Sequence, residues 1–117
     1  MSGMMYQPGD VLLIPFPFSD RQTSKKRPIL LLTSPDEMGD LICLPITSSP
    51  HHTDGFRLLA SHFCEGKLPK ESWIRTAKVY TLNQSLLLGR FGALRSDVFR
   101  QVHHVLCRQL ACGTVTG

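Results

Sequence analysis

Gly9-Asp10-Val11-Leu12-Leu13-Ile14-Pro15-Phe16-Pro17-Phe18, followed after a polar loop by Lys25-Lys26-Arg27-Pro28-Ile29-Leu30-Leu31-Leu32-Thr33, decides how this chain folds. Residues 11–14 form a continuous apolar run, too short for a helix and bounded by turn residues, which predicts a buried strand. Pro15 and Pro17 have no N–H to give to a ladder, so pairing should fail there or lie at an edge. Residues 19–26 carry no large apolar side chain and should form an exposed loop, the kind of segment that carries function on a rigid scaffold. Residues 28–33 predict a second buried strand, with three adjacent cations at its mouth. Cations pinned to the start of a rigid element point to a fixed phosphate site.

Beyond this pair, residues 34–40 (Ser-Pro-Asp-Glu-Met-Gly-Asp) are turn chemistry and residues 41–46 predict a third strand. The connections are too short for a crossover helix, so the three strands form an antiparallel meander. Residues 56–59 and 72–77 predict short strands, residues 60–70 read as irregular, and residues 86–92 predict a further strand whose glycines mark a bulge or tight bend. Helical periodicity is clearest over residues 96–111. There Val98, Phe99, Val102, Val105, Leu106 and Leu110 share one face, Ser96 is the expected N-cap and Asp97 complements the positive helix end. Many short strands, frequent Gly and Pro and one terminal helix describe a mainly β, α+β fold: a small, strongly bent antiparallel sheet or half-open barrel.

With 117 residues and an apolar fraction of 42%, the chain reads as a single domain over 1–117, with residues 1–8 as a loose leader. No apolar run approaches the roughly 20 residues that span a bilayer. The first residues lack the pattern of a signal peptide, so the expected compartment is the cytoplasm. Cys43, Cys64, Cys107 and Cys112 form no CxxC pair and read as reduced thiols. His62, Cys64, His103 and Cys107 fit no compact metal-ligand spacing, and no cofactor is expected. The net charge of +4 is unevenly placed: from Ser72 onward there are six cations and one acid, Asp97. That asymmetry favours a polyanion or an acidic partner.

Arg27 precedes Pro28, which pushes it to extended geometry and carries its guanidinium on a stiff stem. The planar fork of Arg matches phosphate, and Lys25 and Lys26 add looser charge. Ile46-Thr47-Ser48-Ser49 ends the third strand in hydroxyls. In a meander, the start of the second strand and the end of the third lie at the same end, so Arg27 and Thr47 can be neighbours although twenty residues apart. A guanidinium and a hydroxyl there make a phosphate clamp. Phe16, Phe18 and Trp73 have the chemistry to stack on single-stranded bases, with core packing as the other reading.

These residues resemble the MazF/PemK family of toxins from bacterial toxin–antitoxin pairs. The matching pieces are Gly9-Asp10-Val11, Phe16-Pro17-Phe18-Ser19-Asp20, Lys25-Lys26-Arg27-Pro28 with its apolar tail, Leu44-Pro45-Ile46-Thr47-Ser48, and the run from Ser72-Trp73-Ile74-Arg75 through Thr81-Leu82. The resemblance implies a CcdB/PemK-like, SH3-like barrel and a homodimer. It implies metal-independent cleavage of single-stranded RNA through the 2′-OH, leaving a 2′,3′-cyclic phosphate and a 5′-hydroxyl. It also implies an antitoxin whose flexible acidic segment covers the groove. The family's catalytic arginine and threonine fall on Arg27 and Thr47. The loop over 19–26 corresponds to its substrate gate, and Ser72 aligns with a family serine near the groove; the residues expected to contact RNA are Phe18, Ser19, Lys25, Lys26, Ser48, Ser72, Trp73, Arg75 and Lys78. Ala77 stands where the family commonly carries an Asp before the lysine.

The chemistry fits these residue types. Attack by the 2′-OH needs proton movement at two oxygens and stabilisation of a phosphorane dianion. Arg27 and the Thr47 hydroxyl can both donate to its non-bridging oxygens. Arg is a poor base because its pKa exceeds about 12; His51 or His52, just after the hydroxyl run, is chemically suited. Two other readings share the fold: a CcdB-like topoisomerase inhibitor acting by protein contact, and a non-catalytic RNA binder. The Arg27/Thr47 pair argues against the first, and its retention beside Lys25 and Lys26 against the second.

Overall fold

The structure, a computed structural model, describes residues 5–15, 26–49 and 55–111. Its elements are β1 (Asp10–Pro15), β2 (Lys26–Leu31), β3 (Asp40–Thr47), β4 (Phe56–Leu58), β5 (Phe63–Gly66), β6 (Ser72–Ile74), β7 (Tyr80–Asn83), β8 (Gly89–Leu94) and α1 (Ser96–Gln109). Neighbouring strands run in the order β4-β6-β3-β2-β1-β8-β5, with β7 added along β3. Every pairing is antiparallel. The expected meander is therefore the centre of a curled sheet.

The unbroken apolar runs of β1 to β3 have a simple cause: the sheet is covered on both faces. Val11, Leu30, Leu44, Ile46 and Ile74 point to one core, where Val98, Val102 and Leu106 of α1 close over them. Leu12, Ile14, Ile29, Leu31, Leu41 and Cys43 point to a second core, flanked by Tyr6, Tyr80, Leu82 and Leu87. Strands buried on both sides need apolar residues at every position rather than at alternate ones. Tyr6 also ties down the chain ahead of β1, and the Gln7 N–H donates to Asp10 (3.0 Å).

Several expectations change in detail. The segment 60–70, read as irregular, holds a 3₁₀ turn over Ala60–His62 and strand β5, which lies along β8. β7 falls in a stretch without a clear period, and the strand expected over 86–92 begins only at Gly89, because Gln84–Leu86 is a 3₁₀ turn. The expected bulge is present: Val11 faces Gly92 while Leu12 faces Arg90, so Phe91 is the extra residue. The helix cap is Arg95, not Ser96, and Arg95 ion-pairs with Asp97 (2.7 Å). Leu110 is exposed past the helix end rather than on its buried face. Cys43 is fully buried, but Cys64 is exposed, its thiol directed at the carbonyls of Ala93 and Leu94. Cys112 lies outside the described residues.

A charge hub links β1, β5 and β8. Asp10 is buried, and Arg90 bridges it (3.3 Å) to Glu65 (3.1 Å). The hydrogen bonds and charge of Arg90 hold the Glu65 carboxyl below the usual carboxylate range. The same ion pairs keep the Arg90 guanidinium charged, its pKa raised further still.

Candidate active site

The site forms where β2 begins and β3 ends. β2 pairs with β3 through Leu31 and Cys43, Leu30 and Leu44, and Ile29 and Pro45. Pro28 and Pro45 carry no N–H, and the ladder stops there. Counted onward, the same register sets Arg27 against Thr47. Side-chain alternation agrees. Ile29 and Leu31 face the second core, as do Leu41 and Cys43, so Arg27 and Thr47 fall on that face too.

Arg27 is half-buried, and its Nε is fully enclosed without a hydrogen-bond partner among the described residues. Thr47 is buried, and its hydroxyl oxygen accepts the Ser49 N–H (3.1 Å), which leaves the O–H proton available to donate. Trp73 of β6 sits opposite Thr47 and is half-buried.

A cleft of about 200 Å³ opens at this strand end, lined by Lys26, Arg27, Ser48, Lys70 and Ser72 over a floor that includes Leu13, Pro28 and Ile46; Pro28 and Ile46 alternate with Arg27 and Thr47, so the floor belongs to the opposite face of the strands. Four of the sequence-derived site residues thus meet in one cleft. Thr47 does not line it, but both of its chain neighbours do. The Ser72 hydroxyl donates to the Lys70 carbonyl (2.8 Å), so it serves the local backbone as well as the cleft wall. Trp73, Arg75 and Lys78 are not in the lining. The Arg75 N–H donates to the Pro45 carbonyl (2.9 Å), pinning β6 to β3, and Lys78 is exposed in the turn that follows, its N–H bonded to the Arg75 carbonyl (3.1 Å). Phe16, Phe18, Ser19, Lys25, His51 and His52 lie outside the described residues. His103 and Cys107 meet one helical turn apart, thiol to ring nitrogen 3.8 Å, but no group of three or more His, Cys, Asp or Glu able to hold a metal occurs among the described residues.

Lys70 is the residue that sequence reasoning missed. It belongs to the stretch read as irregular, and the signal available was two lysines, Lys67 and Lys70, flanking Pro69. Electrostatics sets this end of the molecule apart. Among the described residues, Arg90, Arg95 and Arg57 are ion-paired with Asp10 and Glu65, Asp97, and Glu71 respectively. Lys26, Arg27, Lys67 and Lys70 have no ion-pair partner among those residues. The acids Asp36, Glu37 and Asp40 lie around the β2–β3 hairpin, at the opposite end of β2. The cleft end is left positive.

A family model described as PemK-like, MazF-like toxin of type II toxin-antitoxin system matches residues 7–110. Among solved structures, MazF from Deinococcus radiodurans superposes with a TM-score of 0.68 at 18% identity, over 93% of this chain and 99% of that one. An endoribonuclease in complex with its cognate antitoxin from a mycobacterial species gives 0.69 at 13% identity, over 91% and 93%. A MazE–MazF complex from D. radiodurans gives 0.68 at 16%, over 93% and 98%. At such identities the likeness to these structures is one of fold. No curated protein matches the sequence.

Proposed function

Because this chain belongs to the PemK-like, MazF-like toxins of type II toxin–antitoxin systems, we propose that it is a metal-independent endoribonuclease acting on single-stranded RNA. The observation that carries this reading is Arg27 in the lining of a cleft whose lysines have no described acidic partner, with Thr47 at matching register on the adjacent strand. The scissile phosphate lies against Arg27, which supplies guanidinium N–H donors and a permanent positive charge. As the 2′-oxygen attacks, charge builds on the non-bridging oxygens, and the Arg27 guanidinium and the Thr47 hydroxyl stabilise it. The 2′-OH gives its proton to a base, for which His51 or His52 is chemically suited, the phosphorus–5′-oxygen bond breaks, and the departing 5′-oxygen takes up a proton, giving a 2′,3′-cyclic phosphate and a 5′-hydroxyl. Lys25, Lys26 and Ser48 hold the flanking backbone, with Phe18, Ser19, Ser72, Trp73, Arg75 and Lys78 as further contacts.

The natural inhibitor is an antitoxin with an acidic segment that fits the positive end of the molecule. The neighbouring structures that contain antitoxins support this partner. The working form is a cytoplasmic homodimer. No helix among the described residues is long and apolar enough to cross a membrane.

The test is incubation of antitoxin-free protein with diverse single-stranded RNAs in EDTA, followed by sequencing of the ends. Scission with 2′,3′-cyclic phosphate termini, lost in Arg27→Ala, is the expected result. Intact RNA together with recovery of a topoisomerase in pull-downs would replace it with the topoisomerase-inhibitor reading.

A further inference from the structure

A second groove lies behind the wall of the first cleft. The two share Leu68, Pro69 and Lys70, which form a ridge between them. The second is the larger, at about 290 Å³, with an apolar lining from Leu58, Leu59 and Phe63 and with Lys67 at its rim. The ridge is held in place: the Lys70 carbonyl is fixed by the Ser72 hydroxyl (2.8 Å), and Pro69 restricts the backbone between the two lysines. Glu71 also lines the groove, but its charge is taken by Arg57. Lys67 and Lys70 are exposed and form no ion pair with any described acid.

We propose that this groove holds the nucleotide adjoining the scissile phosphate, its base against the apolar lining and its outer phosphate on Lys67. The inference rests on the RNA-cleaving reading and deepens it. Two observations select a nucleic acid strand as the occupant. An apolar trough rimmed by unneutralised lysines matches a chain that alternates base and phosphate. The groove also adjoins, across the Leu68–Lys70 ridge, the cleft that takes the phosphate being cut. Lys67 lines the second groove only, so it separates binding beyond the ridge from chemistry within the cleft.

The experiment compares wild type, Lys67→Ala and Lys67→Arg on an RNA oligonucleotide with several nucleotides on each side of the cut, and on versions shortened from either end. Loss of one charge-assisted phosphate contact should raise KM about tenfold with kcat unchanged. Arginine should restore KM, and the difference should vanish on the substrate shortened at the end that occupies the groove. The slope of log affinity against log salt should fall by about 0.7 in Lys67→Ala. An unchanged KM, or a rise of equal size on every shortened substrate, would overturn the assignment. If the wild type cuts no RNA, the functional reading fails separately. The groove is then read by anisotropy with a 2′-deoxy oligonucleotide, where loss of affinity in Lys67→Ala supports it and equal affinity overturns it. Weaker binding of an acidic antitoxin peptide with unaltered oligonucleotide binding would also overturn it, in favour of a protein occupant.

Discussion

Arg27 and Thr47 continue the β2–β3 register by two residues past its last bonded pair, Ile29 and Pro45, and they share one face of the sheet. The two prolines that end the ladder leave this strand end unpaired between β2 and β3 without altering the alternation of side chains. A guanidinium and a hydroxyl are thereby held on adjacent strands, not on loops.

Removing either donor should slow RNA scission far more than it weakens binding. Arg27→Ala and Thr47→Ala are each expected to lower kcat by about 10²–10³. Thr47→Ser keeps the hydroxyl and most of the rate. Arg27→Lys keeps the charge but loses the fork, and should recover only a small part. Single-turnover cleavage of a defined oligonucleotide measures all four.

Gly66 of β5 and Gly92 of β8 are register partners whose backbones approach so closely that a Cβ on either would collide with the other strand's backbone. Gly66 also has φ +73°, a conformation that side chains other than glycine rarely adopt. Gly66→Ala is expected to cost at least about 2 kcal/mol, through strain and overpacking together. Urea unfolding gives the value, and a midpoint equal to wild type would refute the close approach.

The two acids bound by Arg90 should respond very differently. Asp10 has a side chain only 8% exposed, so Arg90→Ala leaves a buried carboxylate without its cation and should cost about 2 kcal/mol. Glu65 is 62% exposed, its pair with Arg90 is screened by solvent, and Glu65→Gln should leave the melting temperature nearly unchanged. Thermal melts of the two variants at neutral pH make the comparison.

Burial raises the Cys43 thiol from its ordinary 9.0 to about 12. In the unfolded chain the thiol loses its proton above about 9, while the folded protein holds it. The contribution of Cys43 to stability is therefore complete below pH 9. It declines between about 9 and 12, by at most about 1.4 kcal/mol per pH unit. Stability measured from pH 8 to 10.5 should fall less steeply in Cys43→Ala than in wild type. Native protein should also react with a thiol reagent at exposed Cys64 and not at Cys43 until it unfolds.

β1, β2, β3 and α1 were legible in the sequence because their signals are local and long enough to count. These are unbroken apolar runs between turn residues, turn chemistry over 34–40, and a 3.6-residue stripe through Val98, Val102 and Leu106. Arg27 beside Pro28 and the hydroxyl run at Thr47 could be placed at one end of a meander by connectivity alone. The short strands escaped. β5 and β7 have four residues each, too few to show a period, and both exist because β8 and β3 offer them an edge.

The amino-acid order alone determined the meander, the helix and the chemistry gathered at the start of β2. Each depends on neighbours within a few residues, where sterics and hydrogen bonding act directly. Tertiary packing decided the second core, the Gly66–Gly92 approach, the Asp10–Arg90 bridge and the cleft that Arg27 shares with Lys70. These join segments tens of residues apart, and their geometry comes from how faces fit when they exclude water, a property no single segment carries.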